Sequence, residues 1–329
     1  LDSRVFNTAN WLNGGTTTRV SAFAGNTETQ ALFAQDAWRF APDWKLTLGG
    51  RYERWHAFGG ATSNSSTTVN HATRTENFFS PKAALALQAT PDWLLRASLG
   101  RAYRMPTVSE LFQGSISSGA IVNNDPNLKP EKAWSGELTA ERNLGHGLLR
   151  LSLFQEDAYD ALYSQTNTTV FPTVTNIQNI DKIRTRGVEL ALQGKDVGLR
   201  GLDLSGSVTY ADSEILKNDK FPASVGKQQP RVPDWRASAV ATWHQDSRLS
   251  YTLAARYSGR QYNTLDNIDS NPDTYGGTSR FFVADVRVNY KFAKRYTASA
   301  GVDNLNNYRA YAFHPYPQRT FHAEVKFDY

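Results

Sequence analysis

Cysteine is missing altogether, and methionine occurs once, at Met105. The first absence excludes disulfide scaffolds, thiolate zinc sites and cysteine nucleophiles. The second leaves no material for a methionine-lined copper site. No stretch approaches the roughly 20 consecutive apolar residues of a membrane helix, which excludes a helical membrane protein. Clustered positive charge is lacking too. The 36 Lys and Arg outnumber the 31 Asp and Glu for a net charge of +5, but they are scattered singly along the 329 residues. That is a mildly basic surface rather than a nucleic-acid groove. The opening LDSRVFNTAN has no charged-then-apolar leader layout, so the chain is expected to start at a mature terminus or inside something longer. Aromatics are abundant instead, with 17 Phe, 15 Tyr and 8 Trp, which argues against disorder.

Period-two alternation dominates the chain, and helical periodicity is not convincing anywhere. Leu249, Tyr251, Leu253, Ala255 and Tyr257 alternate with Arg248, Ser250, Thr252 and Arg256. Phe282, Ala284, Val286, Val288 and Tyr290 alternate with Val283, Asp285, Arg287 and Asn289, and the last ten residues repeat the pattern. About thirteen such strands can be counted. One stripe is apolar and rich in Gly and Ala, while the other is charged. Many strands exceed the five or six residues usual in a soluble sandwich and reach the length that crosses a bilayer at a tilt. Trp93, Tyr103, Trp134, Tyr210, Trp235, Trp243, Tyr257, Tyr290 and Tyr296 sit near stripe ends, where interfacial girdles belong.

Connections supply an independent signal. Short links at 41–43, 90–92, 144–147, 245–247 and 293–295 alternate with long ones near 57–77, 104–131, 164–181, 215–232 and 263–279. All long loops then leave from one rim, as in outer-membrane barrels with short periplasmic turns and long extracellular loops. The fold expected is all-β: a transmembrane antiparallel β-barrel wall.

Four motifs carry a family resemblance. They are Arg104-Met105-Pro106-Thr107-Val108-Ser109-Glu110-Leu111-Phe112; Asn127-Leu128-Lys129-Pro130-Glu131; NIDKIRTRGVEL from Asn179 to Leu190; and Val302-Asp303-Asn304-Leu305-Asn306-Asn307. With a terminal aromatic, Tyr329, this set resembles the TonB-dependent outer-membrane receptors. Asn306 stands where that family usually has an aromatic, and Tyr329 where it usually has Phe. The resemblance implies the C-terminal part of a 22-stranded barrel plugged by an N-terminal domain. By that reading 1–28 form an extracellular loop and the end of a preceding strand, 29–329 form the wall, and plug, TonB-binding segment and first strands lie outside this chain. It also implies TonB-dependent uptake of a scarce nutrient, with a ferric siderophore as the expected cargo. Implied partners are the TonB-ExbB-ExbD complex, the plug and first half of the barrel, a metal-chelate ligand, and lipid with lipopolysaccharide; no nucleic acid is expected. A passive diffusion channel of about fourteen strands is the alternative.

Enzymatic constellations are not apparent. The six His have no metal-ligand spacing, the Gly pairs make no phosphate loop, and no nucleophile elbow occurs. No cofactor is expected. Asn267, Asp269, Asn271 and Asp273 distantly resemble a calcium loop, spoiled by Pro272. Ligand chemistry is expected on the long-loop rim, where Arg and aromatic residues gather: Arg104, Arg260, Tyr262, Tyr275, Tyr308, Tyr311, His314 and Tyr316. Guanidinium forks suit carboxylate, catecholate or hydroxamate oxygens, and aromatic walls shed water from an organic chelate. Charges on the other stripe, Arg51, Glu53, Arg96, Glu137, Glu141, Arg150, Glu189, Arg236, Arg256 and Arg287, are expected to face a plug and water.

Overall fold

A computed structural model describes the backbone of residues 2–8, 11–12, 15–16, 19–64, 67–117, 120–123, 125–167, 173–269 and 271–328. Fourteen strands carry one sheet: β1 (Asp2–Thr8), β2 (Arg19–Ala41), β3 (Trp44–Asn64), β4 (Arg74–Thr90), β5 (Trp93–Arg104), β6 (Glu131–Asn143), β7 (Gly147–Asn167), β8 (Thr173–Gly194), β9 (Leu202–Lys217), β10 (Trp235–His244), β11 (Leu249–Ser258), β12 (Phe281–Ala293), β13 (Tyr296–Asp303) and β14 (Thr320–Phe327). Each pairs antiparallel with the next in chain order, which short two-residue turns such as Pro42-Asp43 permit. The single α-helix among the described residues is α1 (Val108–Phe112).

Register turns the alternation into two surfaces. Leu204, Ala241, Leu253, Val286, Val302 and Phe321 are successive cross-strand partners from β9 to β14 and make one apolar row. One residue along, Asp203, Thr242, Thr252, Arg287, Gly301 and His322 make the polar row on the opposite face. A slip of one residue on any strand would exchange the two. The apolar face is open: Leu253 is 54% exposed and Leu138 58%. Such a continuous bare apolar surface fits a lipid solvent rather than water. The described residues contain no helix long and apolar enough to cross a membrane, so any crossing is made by strands. The ionic face is knitted by cross-strand pairs. Glu141 accepts from Arg150 at 3.0 Å and lies 3.4 Å from Arg96, Arg256 meets Asp285 at 3.0 Å, and Arg287 meets Glu324 at 3.0 Å.

Among the described side chains, the four most exposed large apolar residues of the wall lie on its first and last long strands: Leu32 (77%) and Phe33 (73%) on β2, Phe321 (75%) and Val325 (67%) on β14. A strand covered by a neighbour along one side only shows this pattern.

Three differences from the sequence reading have physical causes. The links expected at 57–77 and 164–181 are shorter, because β3 runs to Asn64 and β7 to Asn167. Above the apolar band both faces are polar, so the period-two signal fades while the ladder continues, as in Gln165 opposite Asn176. In the segment expected as loop and preceding strand, β1 is a strand paired to β2, and β2 already begins at Arg19. Helix α1 was invisible to periodicity because five residues hold little more than one turn. Its capping box, Thr107 with Glu110, was the legible sign: Thr107 Oγ1 accepts from Glu110 N, and Glu110 Oε2 accepts from Thr107 N.

Candidate ligand-binding rim

Long links fold inward at the extracellular end and build two apolar clusters. The first joins Phe23, Trp55 and Ala57 of β2 and β3 to Val108, Leu111 and Phe112 of α1 and to Leu128 and Leu162. Trp55 and Ala57 lie on the same stripe as Arg51 and Glu53, so α1 covers the lumenal side of the wall. Phe112 fits there because Gly25 and Gly60 leave room: a Cβ on either would stand 2.5 or 2.4 Å from its ring. A bulge with Gly59 at φ +62° forms the cradle. Thr62 Oγ1 donates to the Phe112 carbonyl at 2.5 Å and receives His71 Nε2–H at 2.9 Å, while the His71 ring stacks on Phe112 at 5.3 Å.

The motifs behind the family resemblance meet at this cluster. Arg74 donates to the carbonyls of Pro126 and Leu128 and lies 5.3 Å over Trp55. The Asn179 amide receives Lys129 N and donates to the carbonyls of Lys129 and Asp160. The fourth motif works alike at the top of β13. Asn304 brackets Tyr308, and Asn306 receives Ala284 N and donates to the Phe282 carbonyl. An aromatic side chain at 306 could not make that clasp.

Burial pushes the His71 pKa below its ordinary value. An unlatched, hydrated His71 therefore takes a proton more readily, so acidification favours release. The α1 contact is expected to be fully stable above the usual His value of about 6.5 and to weaken as pH falls below it. Hydrogen exchange over 105–113, corrected for intrinsic rates, should show protection falling between pH 7.5 and 5.5, and His71→Asn should flatten that dependence. Unchanged protection in the wild type would refute it. Glu110 is also held below its usual range, for a different reason: burial opposes its ionisation, but Arg104 and the Thr107 amide prevail.

A second cluster, Ile180, Ile183, Ile215 and Leu265, anchors the links after β9 and β11. Those links and the one after β13 then converge. Asn267 bonds both N–H and C=O of Gln228, Arg231 N donates to the Tyr262 carbonyl, and Gly276–Ser279 form a ladder with Tyr311–Phe313. On this platform the Arg231 guanidinium lies 4.5 Å over the Phe313 ring, and Arg260 lies 4.7 Å over Tyr262. Tyr275, 70% exposed, stands edge-on to Tyr311 at 6.0 Å and to His314 at 6.2 Å.

Of the rim residues expected from sequence, Arg260, Tyr262, Tyr275, Tyr311 and His314 thus lie on one interlocked set of loops. Tyr308 donates its hydroxyl to the Arg280 carbonyl, and Tyr316 is exposed beyond the cluster. Arg104 is elsewhere, committed to Glu110 at 3.0 Å and lying 3.7 Å from Glu131. Arg231 and Phe313 complete the platform. Arg231 adopts φ +64° after Pro230, a conformation that local sequence pattern does not announce. In the segment with the distant calcium resemblance, the Asp269 oxygens receive Asn263 N and the Thr264 hydroxyl. Among the described residues no group of three or more His, Asp or Glu could hold a metal ion.

An antiparallel wall, apolar outside, ionic inside and roofed by folded loops at one end, defines an outer-membrane barrel of the receptor type. The chain belongs to the TonB-dependent receptor β-barrel family: the family described as "TonB dependent receptor-like, beta-barrel" matches residues 2–305. It is 26% identical over 319 residues to the iron-regulated outer membrane virulence protein of Vibrio cholerae serotype O1, covering 92% of this chain and 45% of that protein. It is 24% identical to the probable TonB-dependent siderophore receptor PiuA of Acinetobacter baumannii, covering 89% and 39%. The PiuA crystal structure superposes with a TM-score of 0.75 at 20% identity, covering 94% of this chain and 44% of that one. The ferric-catecholate receptor Fiu of E. coli K12 in its closed form gives 0.74 at 19%, covering 96% and 47%. The chain spans less than half the length of these relatives. The family consists of transport receptors, not enzymes, and its place is the Gram-negative outer membrane. A self-contained passive channel of about fourteen strands is not favoured, since the matched proteins are receptors of twice this length.

Proposed function

We propose that this chain forms part of the wall and extracellular rim of a receptor that imports a ferric siderophore, energised through the TonB-ExbB-ExbD complex. Further strands, meeting β2 and β14 along their exposed sides, complete the barrel to 22, and an N-terminal plug fills the lumen against the ionic stripe. The observation that carries this reading is the platform of Arg231, Arg260, Tyr262, Tyr275, Tyr311 and His314, where cations are presented over aromatic faces. A chelate with anionic oxygens and a broad organic skeleton suits it, the guanidinium groups taking the oxygens and the rings excluding water. Relatives named for siderophores support the cargo class.

The test is iron-limited growth of cells relying on this receptor, supplied with ferric catecholates, hydroxamates and citrate in turn. One class should restore growth, and Arg260→Ala should weaken uptake of it about tenfold, as loss of one charge-assisted hydrogen bond would. Growth no better than a vector control on every chelate would overturn the assignment.

A further inference from the structure

The first half of the link after β11 closes on itself around one carboxylate. Asp269 Oδ2 receives Asn263 N–H at 3.0 Å, and Oδ1 receives the Thr264 hydroxyl at 3.0 Å. The Asp269 carbonyl receives a guanidinium N–H of Arg260 at 2.8 Å. This ring is also fixed from outside. Leu265 is fully buried in the second apolar cluster. The Asn263 side chain donates to the Gly276 carbonyl and receives the Thr278 hydroxyl, and the Asn267 amide donates to the carbonyls of Thr264 and Gln228.

Arg260 is thereby held without losing its charge. A neutral carbonyl and the face of Tyr262, 4.7 Å away, place its exposed side chain, and it makes no ion pair with any described residue. Guanidinium groups elsewhere are neutralised: Arg104 by Glu110, Arg256 by Asp285 and Arg287 by Glu324. The one carboxylate bonded into this ring, Asp269, accepts from neutral donors instead. A free Arg side chain samples many rotamers, and ordering it when a ligand arrives opposes binding. Held in advance, it presents a full cation with that opposition removed. An acid beside an anion-binding arginine repels the anion, so whatever Asp269 contributes to binding is geometric.

We propose that Asp269 is a positioning residue for chelate binding. Its carboxylate sets the backbone of 263–264, its carbonyl sets the Arg260 guanidinium, and Arg260 meets the anionic oxygens of the chelate. The proposal rests on the platform being the chelate site. It adds a residue that touches no ligand and whose own charge has the wrong sign for the task.

The test is binding of radioiron chelates to de-energised cells carrying the whole receptor, with surface display and heat-modifiable migration checked for each variant. The probes are ferric enterobactin, ferrichrome and ferric citrate. For the probe that wild type binds, Asp269→Ala should raise the half-saturation concentration about tenfold, close to the loss in Arg260→Ala. Asp269→Asn should bind as wild type does or up to about twofold tighter. Its amide oxygen still accepts from Asn263, its NH2 donates to a turned Thr264 hydroxyl, and the repelling charge is gone. Asp269→Ala added to Arg260→Ala should weaken binding by less than about twofold more. Where Asp269→Ala does not reach the surface, Thr264→Val decides: about threefold weaker binding, absent in the Arg260→Ala background. Unchanged binding by the deciding variant, equal effects of Ala and Asn at 269, or full additivity with Arg260→Ala overturns the proposal and leaves the cargo reading standing. Failure of wild type to bind any of the three probes overturns both.

Discussion

Arginine in place of Leu253 is expected to destabilise the folded wall by about 2–4 kcal/mol, the cost of a cation on the lipid side near the bilayer midplane. Leu253 sits in the middle of β11, between Ala241 and Val286, with apolar rows above and below it. A guanidinium there has no aqueous surface within easy reach and no partner on the neighbouring strands. Thr252, one residue earlier, lies in the row with Thr242 and Arg287 on the ionic face. Thr252→Arg is therefore expected to cost far less. Denaturant titration in lipid vesicles, read by heat-modifiable migration, separates the two. Equal costs would mean that the stripes are misassigned.

Truncation of Phe112 to alanine is expected to cost about 3–5 kcal/mol locally, the usual penalty for emptying a buried aromatic site. The ring is 3% exposed and fills the cradle of Gly25 and Gly60. Its loss releases α1 and leaves the wall standing, because the ladder from β2 to β14 does not pass through the helix. Exchange over 105–113 should accelerate on the order of a hundredfold or more, while β9 to β12 stay protected. Gly60→Val should act alike, since its Cβ collides with the same ring. Acceleration spread across the whole wall would show that α1 supports the barrel rather than capping it.

What sequence revealed and what it hid divide along physical lines. Strands bathed by lipid on one side and ions on the other must alternate, so β11, β12 and β14 were legible residue by residue, as was the sorting of short and long links. The signal ended where the membrane ends. Residues 57–64 continue β3 with little contrast between their faces, so they resembled a loop. Site residues fared according to what holds them. Tyr275, Tyr311 and His314 lie in links whose aromatic content marked them, and they do converge. Arg104 carried the same composition signal, yet its guanidinium is spent on Glu110 and Glu131. Arg231 escaped notice because its place over Phe313 depends on backbone bonds between loops about 30 to 80 residues apart, which no local pattern encodes.

The central claim is that alternate residues of each long strand meet lipid and water. This chain has no cysteine, so single cysteine substitutions from Leu249 to Tyr257 measure it directly in the membrane-embedded receptor, with any cysteine outside this chain replaced by serine. Labelled probes at 251, 253, 255 and 257 should be quenched by nitroxide lipids and spared by a water-soluble quencher, with 250, 252, 254 and 256 showing the reverse. A flat profile, or lipid contact at 252 and 256, would contradict it.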